Sequence, residues 1–174
     1  MASMSSLSPV PSPSPAASPF RMDKRRIEAM LTLTTGRTVR GSFFLADVTM
    51  LGDGPERPDD LLNSTPGFFP FERVDGEHRG VVLYSRDHVA QVTLFGQEAR
   101  EVPGYEVARV RHVALILSNG ERVTGDIRVY APEGRNRVSD WSHDAAAFRY
   151  LETAHGTLLI NIRHVVEIIE LERP

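Results

Sequence analysis

The chain has 174 residues, of which 41% are hydrophobic and 25% are charged, a composition typical of a folded globular protein. It contains no cysteine, which excludes disulfide bonds, thiolate zinc sites and cysteine nucleophiles. No stretch approaches the roughly 18 apolar residues of a membrane span, and the N-terminus lacks the pattern of a secretory signal. We therefore expect a cytoplasmic protein with no membrane partner.

The charge is unevenly distributed along the chain. Residues 1–26 carry four basic residues against one acidic residue, and the remainder has 16 basic and 22 acidic residues, a net charge of −6. Nucleic-acid-binding domains usually carry a basic excess, because neutralising phosphates and releasing counterions supplies most of their affinity. The acidic balance disfavours a nucleic-acid partner.

The chain begins with a segment, residues 1–19, that consists almost wholly of Ser, Pro and Ala. Such a composition buries too little apolar surface to offset the entropy of ordering, so it predicts a disordered tail that solubilises the protein. Its four Ser-Pro steps leave phosphorylation or polyproline docking as alternative roles. Residues 20–28 follow as a basic lead-in, for which we expect a helical turn.

Residues 29–94 align with residues 113–171 in three blocks. The blocks place 35–41 over 119–125 at an offset of 84, 57–72 over 137–152 at an offset of 80, and 82–92 over 158–168 at an offset of 76. Each change of offset is a four-residue deletion in a loop, the kind of change that duplicated units accumulate. The alignment predicts two tandem copies of one β-rich unit, with residues 95–112 as linker and second lead-in.

Within each copy, the residue pattern predicts short strands separated by turns. Gly36 and Gly120 end turn sequences that favour a tight hairpin between the first two strands. Gly41 lies inside the second strand, as does its counterpart Gly125, where a glycine marks a bulge, a bend or a close backbone approach. A polar loop, a helical turn, a third strand and two closing strands complete each copy. For the helical turns we expect Asp59 or Ser139 as the N-cap.

This pattern resembles the Sm-like small β-barrel. The matching residues of the family's first motif are Leu31, Leu33, Gly36, Gly41, Phe43 and Asp47. Those of its second motif are Leu83, Arg86 and Val89 in the first copy and Ile160, Arg163 and Val165 in the second. The resemblance implies a mainly β protein of two tandem five-stranded bent barrels, and Sm-like barrels associate edge to edge.

The sequence departs from the RNA-binding members of that family at their nucleotide-binding positions. Leu51 stands where those members have an Asn, and Asp87 follows Arg86 in place of their Gly. In the second copy, Ala131 replaces the first-motif Asp and His164 follows Arg163. An inserted segment, Arg-x-x-Asp-x-x-Asn or His, resembles uncharacterised bacterial proteins. Its residues are Arg57, Asp60 and Asn63 in the first copy and Arg137, Asp140 and His143 in the second.

The inserted residues, together with the repeat-equivalent pair His88 and His164, are interpreted as structural or interaction positions. A position shared by both copies favours a common task such as hydrogen-bonding a turn, and an Arg three residues before a carboxylate can pair with it and fix a loop. No catalytic residue, cofactor or metal site is predicted, because the six histidines lack metal-site spacing and nothing indicates two poised acid/base groups.

The third strands are rich in aromatic residues. These are Phe68, Phe69, Phe71, Phe148 and Tyr150. They suit either a stacking platform for single-stranded nucleic acid or an apolar core, and the alternation around Pro70 and Arg149 favours the core. Pro70 lacks a backbone donor, which predicts that it lies at an edge or a bulge.

Three function classes follow in order. The leading hypothesis is a non-enzymatic adaptor or regulatory scaffold in a bacterial intracellular complex of the signalling, polarity or motility type, with a protein partner or a homo-oligomer formed through barrel edges. The alternative is an Sm-like RNA-binding protein, and an enzyme ranks third. The basic residues available to RNA would be Arg25, Arg26, Arg86 and Arg163.

Overall fold

The computed structural model describes residues 24–47, 54–64, 67–76, 79–96, 104–130, 137–143 and 145–172. The Ser/Pro-rich segment 1–19 lies outside these ranges, as do Leu51 and Ala131. Within the described residues the chain forms ten β-strands and two short α-helices, so the prediction of a mainly β protein is confirmed.

The elements follow the same order in both halves of the chain. The first half has strands β1 (Lys24–Leu33), β2 (Thr38–Ala46), β3 (Phe68–Arg73), β4 (Gly80–Ser85) and β5 (Val89–Leu94), with helix α1 (Pro58–Ser64) before β3. The second half has β6 (Arg109–Leu117), β7 (Arg122–Val129), β8 (Phe148–Thr153), β9 (Gly156–Asn161) and β10 (Val165–Glu170), with helix α2 (Val138–Ser142) before β8. A three-residue 3-10 turn joins the last two strands of each half, at Arg86–His88 and Ile162–His164.

The ten strands pair into one antiparallel sheet. Its order is β10-β6-β7-β8-β9-β5-β1-β2-β3-β4, so each half contributes its own fifth, first, second, third and fourth strands as neighbours. The halves meet where β9 pairs with β5. Two separate five-stranded barrels were expected; the pairing of the described strands instead gives one continuous open sheet with β4 and β10 at its ends.

Strand registers coincide between the halves at the offsets of the sequence alignment. Ala29 pairs with Gly41 as Val113 pairs with Gly125. The third and fourth strands agree residue for residue, and the irregularity in the fifth strand's pairing with the first also recurs, before Gln91 in β5 and before Glu167 in β10. The two halves therefore share topology and register.

The second strand passes very close to the third in both halves, and glycine permits this approach. A Cβ on Gly41 would overlap the carbonyl oxygen of Glu72 in β3, and a Cβ on Gly125 would overlap that of Glu152 in β8. Of the three roles considered for these glycines, the close backbone approach is the one observed.

The lead-in prediction is wrong for the described residues. Lys24 begins β1 and pairs with Ala46 of β2, so this segment is strand and not a helical turn. Ile27 packs against the first core, which makes extension of the hairpin favourable. In the same way, β6 begins at Arg109, inside the predicted linker.

Two hydrophobic cores lie along the sheet. The first is built around Phe43, Phe69 and Phe71, with the rings of Phe43 and Phe71 in an edge-to-face contact at 5.1 Å between centroids. It also contains Phe148 and Leu159 of the second half. The second core consists of residues of the second half, among them Val113, Leu115, Ile127, Trp141 and Leu151. The first core therefore extends across the boundary between the halves.

Candidate functional site

The boundary between the halves, here called the junction, is the pairing of β9 with β5 and the side chains that cross it. The register pairs Gln91 with Ile160, Val92 with Leu159, Thr93 with Leu158 and Leu94 with Thr157. Leu159 and Phe148 are buried there against the first core, which makes the junction a packed interface of strand pairing and apolar contact.

Helix α1 binds the second half through Asn63. The Asn63 amide nitrogen donates to the carbonyl oxygen of Phe148 at 2.9 Å, and the Phe148 backbone N–H donates to the Asn63 amide oxygen at 2.8 Å. A single side chain thereby satisfies both backbone groups of Phe148, as a neighbouring strand would. Asn63 is a junction residue.

The 3-10 turns of the two halves also meet at the junction. The Asn161 amide donates to the carbonyl oxygen of Val89 at 2.9 Å, and Arg163 pairs with Asp87 at 2.9 Å. The Nε2 of His164 donates to the carbonyl oxygen of Asp87 at 2.8 Å. These contacts fix the turn of one half against the turn of the other.

A buried titratable pair joins α1 to β8. The Tyr150 hydroxyl donates to Asp59 Oδ1 at 2.7 Å, and Arg57 Nε lies 3.3 Å from the same oxygen. Burial raises the pKa of Asp59 above its ordinary value, because desolvation outweighs the hydrogen bond and the nearby guanidinium. Burial and the neighbouring carboxylate also raise the pKa of Tyr150. Both groups therefore favour their neutral forms at this contact.

A cavity of about 190 Å³ lies beside this pair. Its lining includes Asp59, Tyr130, Trp141 and Phe148, together with Arg128 and Glu152. The last two are paired with each other at 2.7 Å, and Asp59 accepts from Tyr150. These polar groups hold α1, β7 and β8 together.

The inserted Arg-x-x-Asp segment closes the first turn of each helix. The backbone N–H of Arg57 donates to Asp60 Oδ2 at 3.0 Å, and its Nη2 donates to Asp60 Oδ1 at 3.0 Å. The backbone N–H of Arg137 likewise donates to Asp140 Oδ2 at 2.8 Å. The predicted N-caps Asp59 and Ser139 are wrong, since the helices begin at Pro58 and Val138.

The remaining predicted positions divide between the junction and the surface. His143, the counterpart of Asn63, is exposed. The carbonyl oxygens of His88 and His164 accept from the backbone N–H of Thr34 and Ser118, at 3.0 and 2.8 Å. The role that these two histidines share is therefore carried by the backbone, and the ring of His164 adds the junction contact with Asp87.

The aromatic residues of the third strands occupy both faces of the sheet. Phe69 and Phe71 are buried in the first core, as their alternation predicts, whereas Phe68 is exposed on the opposite face. Pro70 lies beyond the paired part of β2, which pairs with β3 only at residues 71–73, so its missing donor costs no hydrogen bond in that ladder. Phe148 is buried because the junction covers it.

Both ends of the sheet expose apolar side chains. Near the β4 end these are Phe68, Val81 and Leu83, and on β10 they are Val166 and Ile169. Sequence analysis did not single out these surfaces; comparing repeat-equivalent positions for burial is what reveals them. Exposed apolar side chains beside the unpaired backbone of an end strand are typical of an interaction surface.

Comparison of the chain with family models, with curated proteins and with solved structures gave no match in any of the three. In the described part of the chain, neither helix has the length and apolar character that crossing a membrane requires.

Proposed function

We propose that the chain is a non-enzymatic protein-interaction module, an adaptor or scaffold whose binding surfaces are the two ends of its sheet. The observation that carries this proposal is the β4 end, where Phe68, Val81 and Leu83 are exposed together. A strand from a partner can pair with the free backbone groups of β4 while apolar contacts at this patch exclude water.

The common topology of the halves supports the further proposal that the chain carries two copies of an Sm-like unit. Strand order and register agree at the offsets of 84, 80 and 76 found in the sequence. Fusing two such units uses one fourth strand, β9, and one fifth strand, β5, at the junction. One strand of each kind then remains at the ends of the described sheet.

RNA binding, the alternative function, has less support because the cations it needs already contact protein groups. Arg25 donates to the carbonyl oxygen of Glu56 at 2.8 Å, and Arg26 pairs with Glu72 at 3.2 Å. Arg163 pairs with Asp87, as described above.

Arg86 is also unsuited to phosphate binding. It is buried and donates to the carbonyl oxygens of Phe68 and Leu61, at 2.8 and 3.0 Å. A phosphate would have to compete with these contacts on a part of the chain whose net charge is negative.

A matched pair of variants of the full chain tests the proposal. Leu83→Asp places a charge on the β4 end, whereas Val107→Asp places one at an exposed apolar residue outside the end strands. We expect the wild-type chain and the Val107 variant to retain a protein partner at about 0.5 M salt, where exposed charge pairs are screened, and the Leu83 variant to lose it. Submicromolar binding of a single-stranded RNA at physiological salt, with protein partners unaffected by Leu83→Asp, would replace this proposal with the RNA function.

A further inference from the structure

The free ends of the sheet repeat the two surfaces that meet at the junction. By register, β4 is the counterpart of β9, so Leu83 corresponds to Leu159. Leu159 is 0% exposed at the junction and Leu83 is 63% exposed at the free end. Phe148 and Phe68 differ in the same way, at 2% and 65%. The same residue types at the same positions are buried where a fifth strand lies alongside and exposed where none of the described residues does.

The other free end shows the matching difference. Strand β10 is the counterpart of β5, and its Val166 corresponds to Ala90. Ala90 is 0% exposed, whereas Val166 is 65% exposed. Val92, which pairs with Leu159 across the junction, has the apolar Ile168 as its counterpart. The β10 end therefore offers an apolar surface of the kind that β5 offers to β9.

Polar contacts at the junction also have complementary counterparts at the free ends. Gln91 donates to Glu121 at 2.9 Å across the junction, and the corresponding residues at the free ends are Glu167 and Arg37. A neutral-to-acidic contact inside the chain thus corresponds to an acid and a base between chains. Opposite charges at matched positions favour this pairing over random contact.

We infer that the partner of these ends is a second copy of this chain, with β10 of one copy pairing antiparallel with β4 of the next. The inference rests on the proposed function and names its partner. The junction register, transferred by the offsets, predicts Ile168 opposite Leu83 of the second copy and Glu167 opposite its Tyr84. Because the two paired surfaces differ, each added copy again presents both ends, and the assembly grows until it closes into a ring.

Sedimentation equilibrium of the purified full chain tests the inference at concentrations up to about 100 µM, where a dissociation constant of about 10 µM is detected. We expect masses that are integer multiples of one chain. Leu83→Asp and Ile169→Asp should each reduce the mass, and Val107→Asp should not. Circular dichroism and thermal unfolding of each variant establish that it is folded.

Mixing the two end variants makes the test specific. Leu83→Asp retains an intact β10 end and Ile169→Asp retains an intact β4 end, so an equal mixture should form a dimer of one chain of each kind. Glu167→Arg and Arg37→Glu should each weaken wild-type association by about 2- to 5-fold, as expected for an exposed ion pair, and the double variant should restore it.

A monomeric wild-type chain at about 100 µM, or association that neither end variant reduces, would overturn the inference. A mixture of the two end variants that stays monomeric would overturn it as well. If the wild-type chain is monomeric but binds a different protein that Leu83→Asp abolishes, the self-pairing is wrong and the proposed function stands. If Leu83→Asp affects neither self-association nor any other protein partner, both fail.

Discussion

Leu159 and Leu83 occupy the same position in the fourth strand of their halves, and only the first is buried. Both are leucines, and both lie opposite the third strand of their own half in the same register, so neither residue type nor local structure explains the difference. What differs is the neighbour, because β9 has β5 beside it and β4 is the last strand of the described sheet. The comparison teaches that burial at a sheet edge depends on the strand that pairs with it.

Truncating these two leucines gives the largest expected contrast. Leu159→Ala should lower the free energy of unfolding by about 2–5 kcal/mol, because it leaves a cavity in the first core. Leu83→Ala should change it by less than about 0.5 kcal/mol in a dilute, monomeric sample, since its side chain is already exposed. Urea unfolding of both variants measures the difference. Equal losses would mean that the β4 end is covered within a single chain.

The glycines of the second strands test whether the halves are equivalent in energy as well as in register. Gly41→Ala and Gly125→Ala should each destabilise the chain by about 1–3 kcal/mol, because the added Cβ overlaps the backbone of the third strand. Thermal or urea unfolding provides the comparison. A full effect at one glycine and none at the other would break the equivalence of the halves.

The third member of the inserted segment should matter only at the junction. Asn63→Ala should cost about 1–2 kcal/mol, since it removes two hydrogen bonds and leaves the backbone of Phe148 without them. His143→Ala should stay within about 0.5 kcal/mol in the monomer. Chemical denaturation of the pair decides, and equal effects would contradict the assignment of Asn63 to the junction.

The smallest expected effect is a pH dependence from Tyr150. Burial raises the pKa of its hydroxyl above the ordinary value of 10.0, so the folded chain holds this proton more tightly than the unfolded chain. The stability that it contributes is fully present below pH 10 and decreases as the pH rises beyond it. In unfolding measurements from neutral to alkaline pH, Tyr150→Phe should lose stability less steeply than the wild-type chain. Identical slopes would show that Tyr150 is not buried at the junction.

The sequence was sufficient to predict the features that depend on local pattern. The offsets between the halves predicted which residues share a register, and Gly36 and Gly120 predicted the hairpin turns, which they form with positive φ angles of 80° and 83°. The pairing of Arg57 with Asp60 followed from their spacing. Each of these depends on residues that are close in the chain or on comparison of one copy with the other.

The junction could not be predicted in this way, because the pairing of β5 with β9 joins residues about 65 positions apart and depends on how the halves pack. Phe68 and Phe148 are the same residue type in the same pattern, so periodicity assigned both to the core. Lys24 to Arg26 were assigned to a basic lead-in because their charges resemble a solvated segment, yet they extend β1 since β2 offers pairing partners. Tertiary contacts decide all of these positions.

The measurement that tests the central claim most directly is amide hydrogen exchange of the four strands β4, β5, β9 and β10 as a function of protein concentration. If the free ends repeat the junction, amides of β4 and β10 gain protection together as the concentration rises, while those of β5 and β9 are protected at every concentration. Exchange in β4 and β10 that does not change with concentration, beside a protected β5 and β9, would contradict the account.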